Sequence, residues 1–87
     1  MSGAPLQNFP SDFPIKVMGR HDSDLRALTQ VIIERHAGPQ PDSSIRTRTS
    51  TDGKFLALTY MVHATSRAQL DAIYRELTAC KSVLMAL

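Results

Sequence analysis

The sequence predicts an α+β domain of βαββαβ order, and three observations carry that expectation. Thr51-Asp52-Gly53-Lys54 is a hairpin signal set between two strand patterns, residues 45–51 and 55–64. An amphipathic helical pattern and a short strand pattern flank this hairpin on each side, in mirrored order. At 87 residues the chain has room for one small domain and a modest core. Such an arrangement implies a four-stranded antiparallel sheet in the order 4-1-3-2, with two helices on one face.

Residues 1–12 hold Gly3, Pro5, Asn8 and Pro10 without periodicity, and read as a flexible N-terminal tail pinned at Phe9; the single domain spans 13–87. The first strand, 13–19, alternates so that Ile15 and Val17 face the core, and Pro14 sits near its start, where no ladder donor is required. The first helix has a cap candidate at Asp22 or Ser23, an acid at Asp24 in its first turn, and Leu25, Leu28, Val31 and Ile32 along one face. It ends where Arg35 and His36 complement the helix dipole and Gly38, Pro39 and Pro41 prevent continuation.

In the hairpin, Asp52-Gly53 favours a two-residue type I′ turn that pairs Thr51 with Lys54 and Thr49 with Leu56. Alternation then places Ile45, Thr47, Thr49, Leu56, Leu58, Tyr60 and Val62 toward the helices. Arg46, Arg48, Phe55, Ala57, Thr59, Met61 and His63 fall on the opposite face, with Lys16 and Met18. The second helix opens with a capping box at Ser66-Arg67-Ala68-Gln69 and carries its core stripe at Leu70, Ile73, Tyr74 and Leu77. A last strand, 82–87, is apolar and lies at a sheet edge.

Composition narrows the function classes. Apolar residues make up 43% and charged residues 21% of the chain, and no apolar run approaches the ~18 residues of a membrane helix. The N-terminal residues lack a secretory signal pattern, so a cytoplasmic protein is expected. One cysteine, Cys80, allows neither an intrachain disulfide nor a thiolate metal cage. The net charge of +2 is too small to imply nucleic acid by itself.

Several activities known for this topology lack their chemistry here. An RNA-recognition sheet stacks bases on two or three outward aromatics, whereas this register turns Phe55 outward beside Ala57. RNA binding is therefore the least favoured of the binding functions. A phosphate-ester hydrolase of the acylphosphatase kind needs an asparagine beside its loop arginine, and Asn8 in the tail is the only asparagine. A copper or zinc chaperone needs paired cysteines where this chain has Gly19, Arg20 and His21. His21, His36 and His63 are too scattered to be joint ligands, so neither a metal nor a cofactor is expected.

The stretches Phe9-Pro10-Ser11-Asp12-Phe13-Pro14-Ile15-Lys16-Val17-Met18-Gly19, Arg35-His36-Ala37-Gly38, Gly53-Lys54-Phe55, Leu70-Asp71-Ala72-Ile73-Tyr74 and Lys81-Ser82-Val83-Leu84-Met85-Ala86-Leu87 resemble the YbeD-like family of small bacterial proteins. The resemblance implies a ferredoxin-like fold, a likeness to ACT-type regulatory domains that bind small molecules, and an association with lipoate metabolism through gene neighbourhood. Carried onto this chain, the ACT analogy places a ligand site at Gly19, Arg20, His21 and Asp22, where the first helix amides can hold an anion. It also implies self-association, for which the last strand offers an edge.

The leading expectation is thus a non-enzymatic ACT-like regulatory or ligand-sensing domain. The alternative is a protein-binding adaptor acting through the open face of Lys16, Met18, Arg46, Arg48, Met61 and His63.

Overall fold

In a computed structural model of the protein, which describes residues 9–21 and 24–87, the chain runs β1 (Ser11–Arg20), α1 (Leu25–Ala37), a 3₁₀ turn (Asp42–Ser44), β2 (Ile45–Thr49), β3 (Phe55–Ala64), α2 (Arg67–Ala79) and β4 (Val83–Ala86). The strands form one antiparallel sheet in the order β2-β3-β1-β4, which is the expected 4-1-3-2 read from the other edge. This is a small α+β ferredoxin-like fold. The two ten-residue strands occupy the centre because both alternate apolar side chains over their length. Their register pairs Ile15 with Tyr60 and Val17 with Leu58, so four fully buried side chains meet on the helix side. Leu25, Ile33, Leu70, Ile73 and Leu77 close the core from above.

β1 begins two residues earlier than the spacing predicts, because Ser11 and Asp12 continue the ladder opposite Ala64 and His63. Phe9 packs against the core ahead of it. At the far edge, Leu87 exchanges both backbone bonds with Lys16, at 2.9 and 2.8 Å, and so extends the β1–β4 ladder past Ala86. β4 is an edge strand with Leu84, Met85 and Leu87 exposed.

The buried face of α1 differs from the expected one. Leu28 and Val31 are exposed, and the core stripe runs Leu25, Thr29, Ile32, Ile33. A polar Thr29 is admitted because its hydroxyl donates to the Leu25 carbonyl at 2.8 Å and its oxygen is left to accept from the Tyr60 hydroxyl, also at 2.8 Å. With Thr29 turned inward to this bond, Leu28 and Val31 lie on the flank of the helix. Asp24 occupies the N-cap position instead of the first turn and makes no side-chain cap bond; the expected cap candidates, Asp22 and Ser23, lie outside the described residues. The helix stops at Gly38 as expected, its N–H bonded to the Glu34 carbonyl.

The hairpin keeps the expected pairing of Thr49 with Leu56 but not the two-residue loop. Ser50 closes the ladder against Phe55, and the Gly53 N–H bonds the Ser50 carbonyl, so the β-turn is centred on Thr51-Asp52. Gly53 follows at φ +76°, where a side chain would be strained. The Asp52 carboxylate accepts from the Ser50 hydroxyl and the Lys54 N–H, which favours this wider loop and holds its pKa below the ordinary carboxylate value. A second correction concerns β2: only Ile45 is buried, and Thr47 and Thr49 stay exposed although they point to the helix side.

α2 is capped by Ser66, whose hydroxyl accepts from the Gln69 N–H at 3.1 Å. Gln69 returns its side-chain oxygen to the Thr65 N–H, one residue before the cap, and gives its amide to the His36 carbonyl. The same helix pair is clasped by Glu76, which bonds both His36 and Arg35. The His36 bond foremost, with help from Arg35, holds the Glu76 carboxyl below its ordinary 4.5. A depressed folded value contributes stability that is complete above 4.5 and is lost as pH falls through the folded value. Melting temperature should therefore decline below pH 4.5, and Glu76→Gln should melt lower at neutral pH with a shallower acid decline. Parallel melting curves across pH would show that Glu76 does not carry this linkage.

Candidate functional site

The face of the sheet that the helices leave bare is built from a small-residue floor and a cationic rim. Thr59 of β3 lies between Arg46 of β2 and Lys16 of β1; one pair along, Ala57 lies between Arg48 and Met18. Strand spacing sets the backbones of Arg46 and Lys16 about 10 Å apart, and strand rise sets Arg46 and Arg48 about 7 Å apart. Because Ala57 and Thr59 are short, the long side chains on either side enclose space above them. A hollow of about 500 Å³ is lined by Asp12, Ser43, Ser44, Arg46, Thr59 and Met61. A smaller one of about 190 Å³ lies toward the hairpin, with Lys16, Met18, Arg48 and Phe55 in its wall.

The electrostatics of this face follow from which groups find partners. Arg26 pairs with Asp42 at 2.8 Å, Arg67 with Asp71 at 3.3 Å, and Arg35 and His36 with Glu76. None of the ion pairs among the described residues engages Lys16, Arg46 or Arg48. The one acid at the rim, Asp12, stands 3.4 Å from the His63 ring nitrogen. Three cations thus project a positive field over an apolar and hydroxyl-bearing surface that includes Met61, 45% exposed. This arrangement can bind carboxylates or other anions flanked by apolar groups; it contains no aligned nucleophile and base.

All six residues of the adaptor alternative share this face. Lys16, Met18, Arg46, Arg48 and Met61 line its hollows, and His63 marks its end beside Asp12. The sequence reading missed the floor, Ala57 and Thr59, as part of a site, although two short side chains in a strand of large ones were a visible signal. It also missed Ser43 and Ser44, which reach the rim only because the 3₁₀ turn curls them over β3.

The other candidate group is placed differently. Gly19 is a buried residue of β1, and a Cβ there would lie 2.4 Å from the Ser82 carbonyl oxygen and 2.8 Å from a Leu25 methyl. Arg20 is exposed opposite Phe55, and the His21 N–H extends the β1–β3 pairing to the Lys54 carbonyl at 2.8 Å. Asp22 lies outside the described residues. Cys80 is half-buried against the core. Among the described residues no three His, Cys, Asp or Glu side chains converge on one point, and no helix is long and apolar enough to cross a membrane.

The family described as protein of unknown function (DUF493) matches residues 4–87. A UPF0250 protein of Bordetella pertussis is 48% identical over 83% of this chain and 79% of its own length. A UPF0250 protein of Ralstonia nicotianae is 42% identical over 94% of this chain and 84% of its own, and one of Nitrosomonas europaea is 36% identical over the whole of both. No solved structure matches the chain significantly. With a family match from residue 4 to residue 87 and relatives at these identities, the chain belongs to the DUF493/UPF0250 family, the YbeD-like family that its motifs resemble.

Proposed function

We propose that the protein is a non-enzymatic cytoplasmic interaction domain whose open sheet face docks an acidic segment of a partner protein. The observation that carries this reading is the set of cations outside the ion pairs of the described residues, Lys16, Arg46 and Arg48, grouped around Thr59 and Ala57 with Met18 and Met61 beside them. Charge complementarity selects an acidic partner, and the methionines supply adaptable apolar contact. An ACT-like sensor using Gly19, Arg20, His21 and Asp22, with its association to lipoate metabolism, stands second. It rests on the family resemblance, and the close approach that Gly19 permits is taken by Ser82 and Leu25 of the same chain.

The two readings separate in one amide NMR experiment, in which the protein is titrated with a peptide of alternating glutamate and leucine and, in parallel, with amino acids and lipoate. Saturable shifts at Lys16, Ala57, Thr59 and Met61 are expected with the acidic peptide. The double variant Arg46→Glu/Arg48→Glu should weaken them on the order of tenfold at low salt, with a nearly unchanged melting temperature. Shifts confined to residues 19–24 with a small molecule would replace this reading by the sensor; silence everywhere would remove both.

Self-association through an edge strand is a separate proposal, favoured by the exposure of Leu84, Met85 and Leu87 on β4. Sedimentation equilibrium reads it directly, and a monomer at high protein concentration would dismiss it.

A further inference from the structure

We infer that the free edge of β2 receives an extended acidic segment as a fifth strand, with carboxylates at alternate positions set against Arg46 and Arg48. The inference deepens the docking role proposed above and rests on it, adding where the partner lies and in what conformation.

The backbone fixes which groups the edge offers. Ser50 donates to Phe55 across the β2–β3 ladder at 2.9 Å, and antiparallel bonding alternates from pair to pair. Arg48 and Arg46 therefore spend their backbone groups on β3, while the N–H and C=O of Thr47 and Thr49 point to the free edge. A strand added there would bond at Thr47 and Thr49. Its residues opposite Arg46 and Arg48 would sit in non-hydrogen-bonded pairs, the positions where facing side chains come closest.

The side chains agree with the backbone. Arg46 and Arg48 lie on one face two residues apart, the spacing at which an extended chain repeats its own side chains, so an acid-x-acid segment meets both. On the other face, Thr47 and Thr49 are exposed, because the helices leave β2 uncovered beyond Ile45. Residues of the incoming strand that point to that side meet hydroxyl-bearing β-branched neighbours instead of a helix. Arginines on an edge strand also discourage pairing with other edges, and the same two charges that reject a basic or neutral strand select an acidic one.

The test uses the whole chain and two N-acetylated, C-amidated heptapeptides, Ser-Val-Glu-Val-Glu-Val-Ser and its lysine counterpart. With the glutamate peptide, hydrogen exchange at the Thr47 and Thr49 amides should slow about tenfold or more at saturation. Each of Arg46→Ala and Arg48→Ala should weaken binding about twofold to fivefold. Arg46→Glu/Arg48→Glu should reverse the preference toward the lysine peptide. Thr47→Pro removes an outward donor that the β3 ladder does not use, so it should keep the native spectrum and abolish binding.

Binding of the glutamate peptide that leaves the Thr47 and Thr49 amides unprotected would overturn the fifth strand, and the shifts expected at Lys16, Ala57, Thr59 and Met61 would then leave the open-face docking in place. Absence of binding by either peptide to the wild-type protein would count against both.

Discussion

Replacing Gly19 by alanine is expected to destabilise the protein by about 2–3 kcal/mol, the cost of overpacking a closed site. For a domain of this size that is a fall in melting temperature of about 8–24 °C. The added methyl would be centred 2.4 Å from the Ser82 carbonyl oxygen and 2.8 and 3.0 Å from the two Leu25 methyls. Neither neighbour can step aside cheaply. Ser82 belongs to the backbone leading into β4, at the point where the β1–β4 register shifts after Met18, and Leu25 is fully buried at the start of α1. Relief therefore has to come from moving β4 off the sheet or α1 off the core, and both movements expose apolar surface.

Gly53→Ala supplies the comparison. Nothing lies within 4 Å of its Cβ position, and only the positive φ of 76° opposes a side chain there. That substitution should cost about 1 kcal/mol, well below Gly19→Ala. Equal melting temperatures for the two variants would mean that β4 yields freely and that its junction with β1 is loose. The same pair of variants bears on the sensor reading, since a glycine kept for ligand approach would lose ligand response without a comparable loss of stability.

The course of the chain was legible wherever a pattern depends on near neighbours, and it was misread where a distant residue decides. The hairpin pairing came through a wrong turn type because the two-residue and four-residue loops share a centre, so Thr49 faces Leu56 in either. The cationic positions Lys16, Arg46 and Arg48 follow from strand alternation alone, given the inward Ile15, Val17 and Leu58. The face of α1 did not follow. Periodicity ranks Leu28 and Val31 above a threonine, and nothing local reveals that Thr29 has a hydroxyl partner 31 residues away. The uncovered inner side of β2 was equally hidden: alternation assigns Thr47 and Thr49 to the helix face, but where the helices stop is a matter of tertiary packing.

That distant partnership should be measurable as a coupling. Tyr60 is fully buried, and burial raises its pKa while the Thr29 bond opposes the shift. In Thr29→Val the hydroxyl of Tyr60 keeps only the Arg26 carbonyl, at 3.4 Å, and is left nearly unsatisfied in an apolar layer. The expected cost is about 1–3 kcal/mol by urea unfolding, with melting lowered in proportion. Tyr60→Phe is the milder change, about 1 kcal/mol, because Thr29 can still donate to the Leu25 carbonyl at 2.8 Å. The double variant removes both hydroxyls and leaves neither orphaned, so its cost should be close to that of Tyr60→Phe alone. The cycle then yields a coupling of about 1 kcal/mol or more, within the range for groups in one hydrogen-bonded network. Additive costs would mean that Tyr60 and Thr29 hold their places independently, and that the rotation of α1, with Leu28 and Val31 turned outward, is set by apolar packing instead of by this bond.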